Sequence, residues 1–284
     1  MNFNQYAAEL KNIKPAKKVF VAFLDILGFS TFVEKNSHED LIKYYQGIVR
    51  LTLDFSLTEV AEQSRSQSDW INNLSDESWC EDIAPKFDLL KIDSTLISDS
   101  IFLSTRDNSN SSFIHLIVTV RNMMARFILL GFPLRGAITF GEYTSDFSIN
   151  PHGVNSAFLG FPIVAAVELE KLQEWSGCII HESVVQELGI NIINNFHPNF
   201  LVYYKVPIKK KIARNSIITN SNSHFSVVNW AAGITDDVKS KVEEKIRNAF
   251  SAYKKNSENV NHIIENTLQF FCDMNLYLKD PIKI

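Results

Sequence analysis

Apolar positions along the chain fall into two kinds of stretch: short dense runs, and longer segments where they recur every three or four residues. Residues 19–27, "VFVAFLDIL", form a dense run bounded by Gly28, which predicts a buried strand. Residues 38–55 place Leu41, Tyr44 or Tyr45, Ile48 and Leu51 at helical spacing. Residues 56–88 are polar and irregular and read as an insertion. In "LLKIDSTLISDSIFLS", Leu96 and Ile97, then Ile101 to Leu103, flank Ser98-Asp99-Ser100, which predicts two strands joined by a tight turn. "DNSNSS" follows as a loop whose Ser111 or Ser112 offers a helix N-cap, and residues 113–130 make a strongly apolar helix. "FPLRGAITFGEYT" predicts a strand, and residues 160–174 a helix with Ala165, Leu169 and Leu172 on one face. "GCIIH", "FLVYYKVPI" and "FSVVNW" predict further strands, and residues 235–277 two closing helices.

The order strand, helix, strand-turn-strand, helix, strand is a βαββαβ unit with additions. It predicts an α/β (α+β) fold: a ferredoxin-like antiparallel sheet with helices on one face, plus C-terminal helices. Residues 1–232 then form the main domain, with the insertion at about 56–90, and residues 233–284 a helical extension packed on it.

Composition narrows the function classes. Of 284 residues, 45% are hydrophobic and 21% charged, in the range of an ordinary globular domain. A net charge of -4 argues against a nucleic-acid partner. Cys80, Cys178 and Cys272 lie far apart without CxxC spacing, which favours a reducing cytoplasm over a disulfide framework or zinc site. The N-terminal residues lack a signal-type apolar core, and the apolar runs fall short of a membrane span, so a cytoplasmic location without membrane contact is expected.

The chemistry concentrates in two carboxylates. Asp25 ends the first strand and Asp99 tips the hairpin, and a ferredoxin-like sheet sets those strands side by side. Each aspartate can serve as a turn cap. Together at one sheet end, they are hard ligands for Mg2+ or Mn2+ with room left for substrate phosphates. Gly28 lets the backbone turn sharply there, and the N–H groups from Leu27 through Phe29 to Ser30 are expected to face phosphate oxygens. Ser98 and Ser100 read as turn residues hydrogen-bonding Asp99. The seven histidines form no HxxxH or HxH pair and read as surface or core residues.

"FLDILGFS" resembles the first metal motif of class III nucleotidyl cyclases, and "SDSIFLS" their second metal segment. "LRGAITFGE" is similar to the strand after their second helix, and "GFPIVAAVELEK" to the start of their late helix. The finer match, in "SDS", "RGAITFGE", "ELEK", "YYKVPIK" and the late "NW", resembles the pyrimidine cyclases of bacterial Pycsar antiphage systems. The resemblance implies two divalent ions, Mg2+ or Mn2+, on Asp25, Asp99 and the Ile26 carbonyl. It implies Arg135 as the triphosphate-contacting arginine and Lys209 as a looser phosphate contact. It also implies a nucleoside triphosphate substrate, UTP or CTP, and a homodimer with a shared site.

This chain departs from purine cyclases where their base-reading lysine is replaced by Thr95. Their transition-state asparagine and arginine fall at Val164 and Glu168. With the bulky Phe158 and Phe161 nearby, these changes fit a smaller base. The implied activity is conversion of UTP to cyclic UMP as a defence signal. Cytidylate cyclase, purine cyclase and an inactive nucleotide-sensing module follow as alternatives.

Overall fold

The computed structural model describes residues 16–54, 56–57, 92–150, 153–209, 224–251 and 258–279. The expected insertion falls almost wholly outside the described residues.

Strand β1 (Lys17–Ile26) runs through the middle of the sheet. The hairpin β2 (Asp93–Ile97) and β3 (Ser100–Ser104) lies on one side of it, and the long strand β4 (Leu134–Asn150) on the other. Hairpin partner β5 (Gly153–Leu159) continues from β4. Strands β6 (Cys178–Ile180), β7 (Leu201–Lys205) and β8 (His224–Val228) extend the sheet to the order β2-β3-β1-β4-β6-β8-β7. In the order β2-β3-β1-β4 each strand is antiparallel to its neighbour, which is the ferredoxin-like core expected from the element order. The added β6 pairs parallel with β4, so the whole sheet is mixed.

Both faces of β1 are covered, so residues Val19 to Leu24 form one continuous buried run rather than an alternating one. Helix α1 (Phe29–Lys35) and helix α2 (His38–Tyr44) follow the strand, and α2 passes into a π-helical segment at Tyr45–Arg50. Tyr45 packs against the core, while Tyr44 rests edge-on against Phe32. Helix α3 (Asn110–Leu129) packs on one sheet face, its Phe113 ring 5.0 Å from that of Phe20. Its N-cap is Ser109, not Ser111 or Ser112: the Ser109 hydroxyl accepts from the Ser112 N–H, and Asp107 holds both hydroxyls. By length and composition α3 could cross a bilayer, contrary to the sequence expectation, but 78% of its apolar window is buried inside the protein.

Helix α4 (Phe161–Leu172) crosses the opposite sheet face, where the Thr139 hydroxyl donates to the Pro162 carbonyl. Short helices α5 (Glu182–Leu188) and α6 (Ile190–Asn194) follow β6. After a 3-10 turn at Trp230–Gly233 come α7 (Asp236–Lys239), α8 (Val242–Ser251) and α9 (Glu258–Lys279). Helix α8 packs on α3. Helix α9 buries Phe270 against Trp175, with ring centroids 4.8 Å apart.

Candidate functional site

Strand register assembles the site. Ser100, Asp25 and Arg135 stand directly opposite one another on β3, β1 and β4, so their side chains share one sheet face. The turn between β2 and β3 is bent against the end of β1 by a 3.0 Å bond from the Ile26 N–H to the Asp99 carbonyl. Ser98 takes a positive φ of 56° to make that turn. The two aspartates therefore belong to one sheet end. The Ser100 hydroxyl donates to Asp25 Oδ1 at 3.4 Å, where the sequence had pointed it at Asp99.

Asp25 is held in an unfavourable place for a charge. Burial comes first, then the neighbouring Glu170 and Asp99 carboxylates, and together they push its pKa from 3.8 to about 7. Arg135 and the Ser100 hydrogen bond oppose the shift without cancelling it. Three carboxylates, Asp25 included, thus share a half-buried place, one of them paired with Arg135. Among the described residues no group of three or more His, Cys, Asp or Glu side chains converges as a metal centre. The expected set is smaller, two carboxylates and a carbonyl, which suits hard ions that keep substrate or water ligands.

Glu170 is the residue that sequence reading missed. It lies on the buried side of α4, one turn after Ala166, and is only 3% exposed. A carboxylate on an apolar helix face was the available signal. It pairs with Arg135 through both Nε and Nη2, while Nη1 donates to the Gln173 carbonyl at 3.0 Å. Among the described residues, these contacts engage three of the five N–H donors of the guanidinium. Arg135 is therefore a fixed cation beside Asp25.

Lys209 reaches the same region. Its Nζ donates to the Lys171 carbonyl at 2.6 Å. Burial and then Arg135 lower its pKa, with Glu170 and Glu174 opposing. Gly28 adopts φ 77°, a left-handed conformation open to glycine at little cost, and caps α1. The Leu27 N–H is used within the fold, donating to the Pro133 carbonyl at 2.9 Å, so it does not face a ligand as expected. The Phe29 ring turns toward Phe32 and an apolar hollow between α1 and α2.

Thr95 sits one pleat repeat, about 7 Å, along the strands from the Ser100–Asp25 level. It stands opposite Phe102 on the same face. There Phe23, Phe102 and Phe158 form an aromatic series: Phe23 tilts against Phe102 at 5.0 Å, and Phe158 stacks on Phe102 at 5.5 Å and 6°. Phe161 and Val164 are 54% and 55% exposed on the outer face of α4, and Glu168 is exposed as well.

No family model matches the chain, and no curated protein matches it. Solved structures do. One is the catalytic core of a rhodopsin-guanylyl cyclase with converted specificity in complex with ATPalphaS, at 11% identity and a TM-score of 0.48, covering 76% of this chain and 98% of that one. Another is the guanylate cyclase domain of RhGC from Catenaria anguillulae in complex with GTP, at 11% identity and a TM-score of 0.44, covering 75% and 96%. A third is the adenylyl cyclase CyaB from P. aeruginosa, at 16% identity and a TM-score of 0.43, covering 75% and 94%.

Proposed function

We propose that the protein is a nucleotidyl cyclase that converts UTP to 3′,5′-cyclic UMP and pyrophosphate, with CTP as the alternative substrate. The observation that carries the reading is the Asp25 end of the sheet. There a carboxylate is raised to about 7 by burial and by two other carboxylates, beside a fixed arginine. Such a place favours a bound divalent cation over an empty state.

In this reading Asp25 and Asp99, with the Ile26 carbonyl, hold two Mg2+ or Mn2+ ions. When bound, these supply the Lewis acidity that lowers the pKa of the ribose 3′-hydroxyl and offsets charge on the leaving group. The 3′-oxygen bonds to the α-phosphorus as the bond to the β-phosphate oxygen breaks, and the hydroxyl proton passes to solvent. Arg135 presents its remaining N–H groups to the phosphates without having to reorganise, and Lys209 adds charge at the same end. Gly28 and Phe29 admit the phosphates through their backbone. Thr95 and the Phe102–Phe158 stack narrow the space for the base, which supports a pyrimidine over a purine. The exposed apolar residues Phe161 and Val164 support a homodimer that covers them and completes the site. A role for the product as an antiphage messenger goes with the pyrimidine reading.

The test is a product assay with UTP, CTP, ATP and GTP in Mn2+ and in Mg2+, with Asp25→Ala as the blank. Cyclic UMP or cyclic CMP above the blank is expected. Product from ATP or GTP alone refutes the pyrimidine assignment, and no product from any triphosphate refutes cyclase activity.

A further inference from the structure

The segment Gln173–Gly177 surrounds Arg135. The Ser176 hydroxyl donates to the Leu134 carbonyl at 2.7 Å, on one side of the arginine. On the other side the Gly136 N–H donates to the Gly177 carbonyl at 2.9 Å, and Gln173 Nε2 donates to the Gly136 carbonyl at 2.7 Å. The guanidinium itself is bonded to the Gln173 carbonyl. The backbone on either side of Arg135 and one nitrogen of its guanidinium are thus bonded to one short segment, beside the ion pair with Glu170.

That segment has no regular structure of its own to hold it, apart from a single bridge at Gln173. Helix α9 holds it. Thr267 is fully buried; its hydroxyl donates to Ile263 within the helix and accepts the Ser176 N–H at 2.9 Å. One residue earlier, Asn266 Nδ2 donates to the Glu174 carbonyl at 2.8 Å. The Trp175 ring is wedged against Phe270 of the same helix. A polar side chain with both hydrogen-bonding functions committed, one of them to a distant loop, is costly to bury unless both bonds persist.

We propose that α9 is a positioning element of the site: Thr267, with Asn266, holds Gln173–Gly177 in the geometry that fixes Arg135 beside Asp25. The catalytic half of this inference rests on the cyclase reading; the structural half does not. The C-terminal helix is then part of the machinery rather than a cover for the sheet, and whatever displaces α9 loosens Arg135.

The experiment compares the full chain with Thr267→Val, Thr267→Ser and Glu265→Gln. Two readouts are taken: the NMR resonance of the Arg135 Nε–H, assigned by its loss in Arg135→Lys, and kcat and KM with UTP and Mn2+. Thr267→Val keeps the shape and strands the Ser176 N–H. It is expected to shift or broaden the Arg135 resonance and lower kcat about tenfold, with KM changed less than about twofold; a decade corresponds to about 1.4 kcal/mol. Thr267→Ser restores both. Glu265→Gln removes only the charge of the exposed α9 partner of Arg247 and leaves both unchanged. If Thr267→Val does not fold, Asn266→Ala is judged on the same readouts. An unmoved Arg135 resonance in the folded variant overturns the proposal. A moved resonance with unchanged kcat overturns its catalytic half. Wild-type turnover no higher than that of Asp25→Ala with each of UTP, CTP, ATP and GTP overturns the cyclase reading, and the resonance still decides the structural half.

Discussion

Asp25→Asn keeps the shape of the side chain and removes its charge, so it isolates the electrostatic argument. In the folded protein the Asp25 carboxyl keeps its proton up to about pH 7, whereas in the unfolded chain it loses it near 3.8. Between those values the folded state binds more protons, so stability falls as pH rises, and the loss is complete above about 7. At 1.36 kcal/mol per pH unit, the ionised form costs up to about 4 kcal/mol at pH 8, of which about 3 kcal/mol develops between pH 5 and pH 8. Asparagine does not titrate and escapes this cost. The variant without metal is therefore expected to be more stable than the wild type at pH 8, and the advantage shrinks toward pH 5. At about 2 °C per kcal/mol for a chain of this size, thermal unfolding should separate the two by roughly 6 °C more at pH 8 than at pH 5. Mn2+ should narrow the gap at pH 8. Saturating the wild type at a hundred times its Kd adds about 2.7 kcal/mol, and the variant gains much less. The reasoning is refuted if Asp25→Asn is less stable than the wild type at pH 8 in chelator, or if Mn2+ raises both melting temperatures equally.

Glu170→Gln leaves the Arg135 charge in a pocket where the two side chains are only 12% and 4% exposed, and should cost about 3–5 kcal/mol in urea unfolding. A loss below 1 kcal/mol would mean the pair is solvated. Gly136→Ala puts a Cβ 2.1 Å from the Phe23 carbonyl oxygen, a backbone atom that cannot yield without disturbing β1. Its unfolding midpoint should drop by more than that of any exposed alanine substitution, and a midpoint like the wild type's would disprove the close approach. Phe158→Ala removes the ring stacked on Phe102. It should raise turnover of ATP and GTP relative to UTP by at least about tenfold, and an unchanged substrate ratio would show that this stack does not read the base.

Much of the fold was legible because its signals are local. An apolar run ending in Asp25, a hairpin tipped by Asp99 and a glycine with positive φ at Gly28 are each short stretches whose conformation follows from their own residues. Their order along the chain then brought β1 between β3 and β4, and that alone put the two carboxylates at one end of the sheet. What the sequence could not determine was which side chains face one another across elements. Glu170 meets Arg135 from 35 positions away, and Thr267 meets Ser176 from 91. Partners like these follow from how a helix is rotated and seated on a sheet face, which many weak contacts decide together and no local pattern encodes. The tertiary structure therefore decided that Arg135 is held in place, that Asp25 keeps its proton to near neutrality, and that the C-terminal helix reaches back to the site.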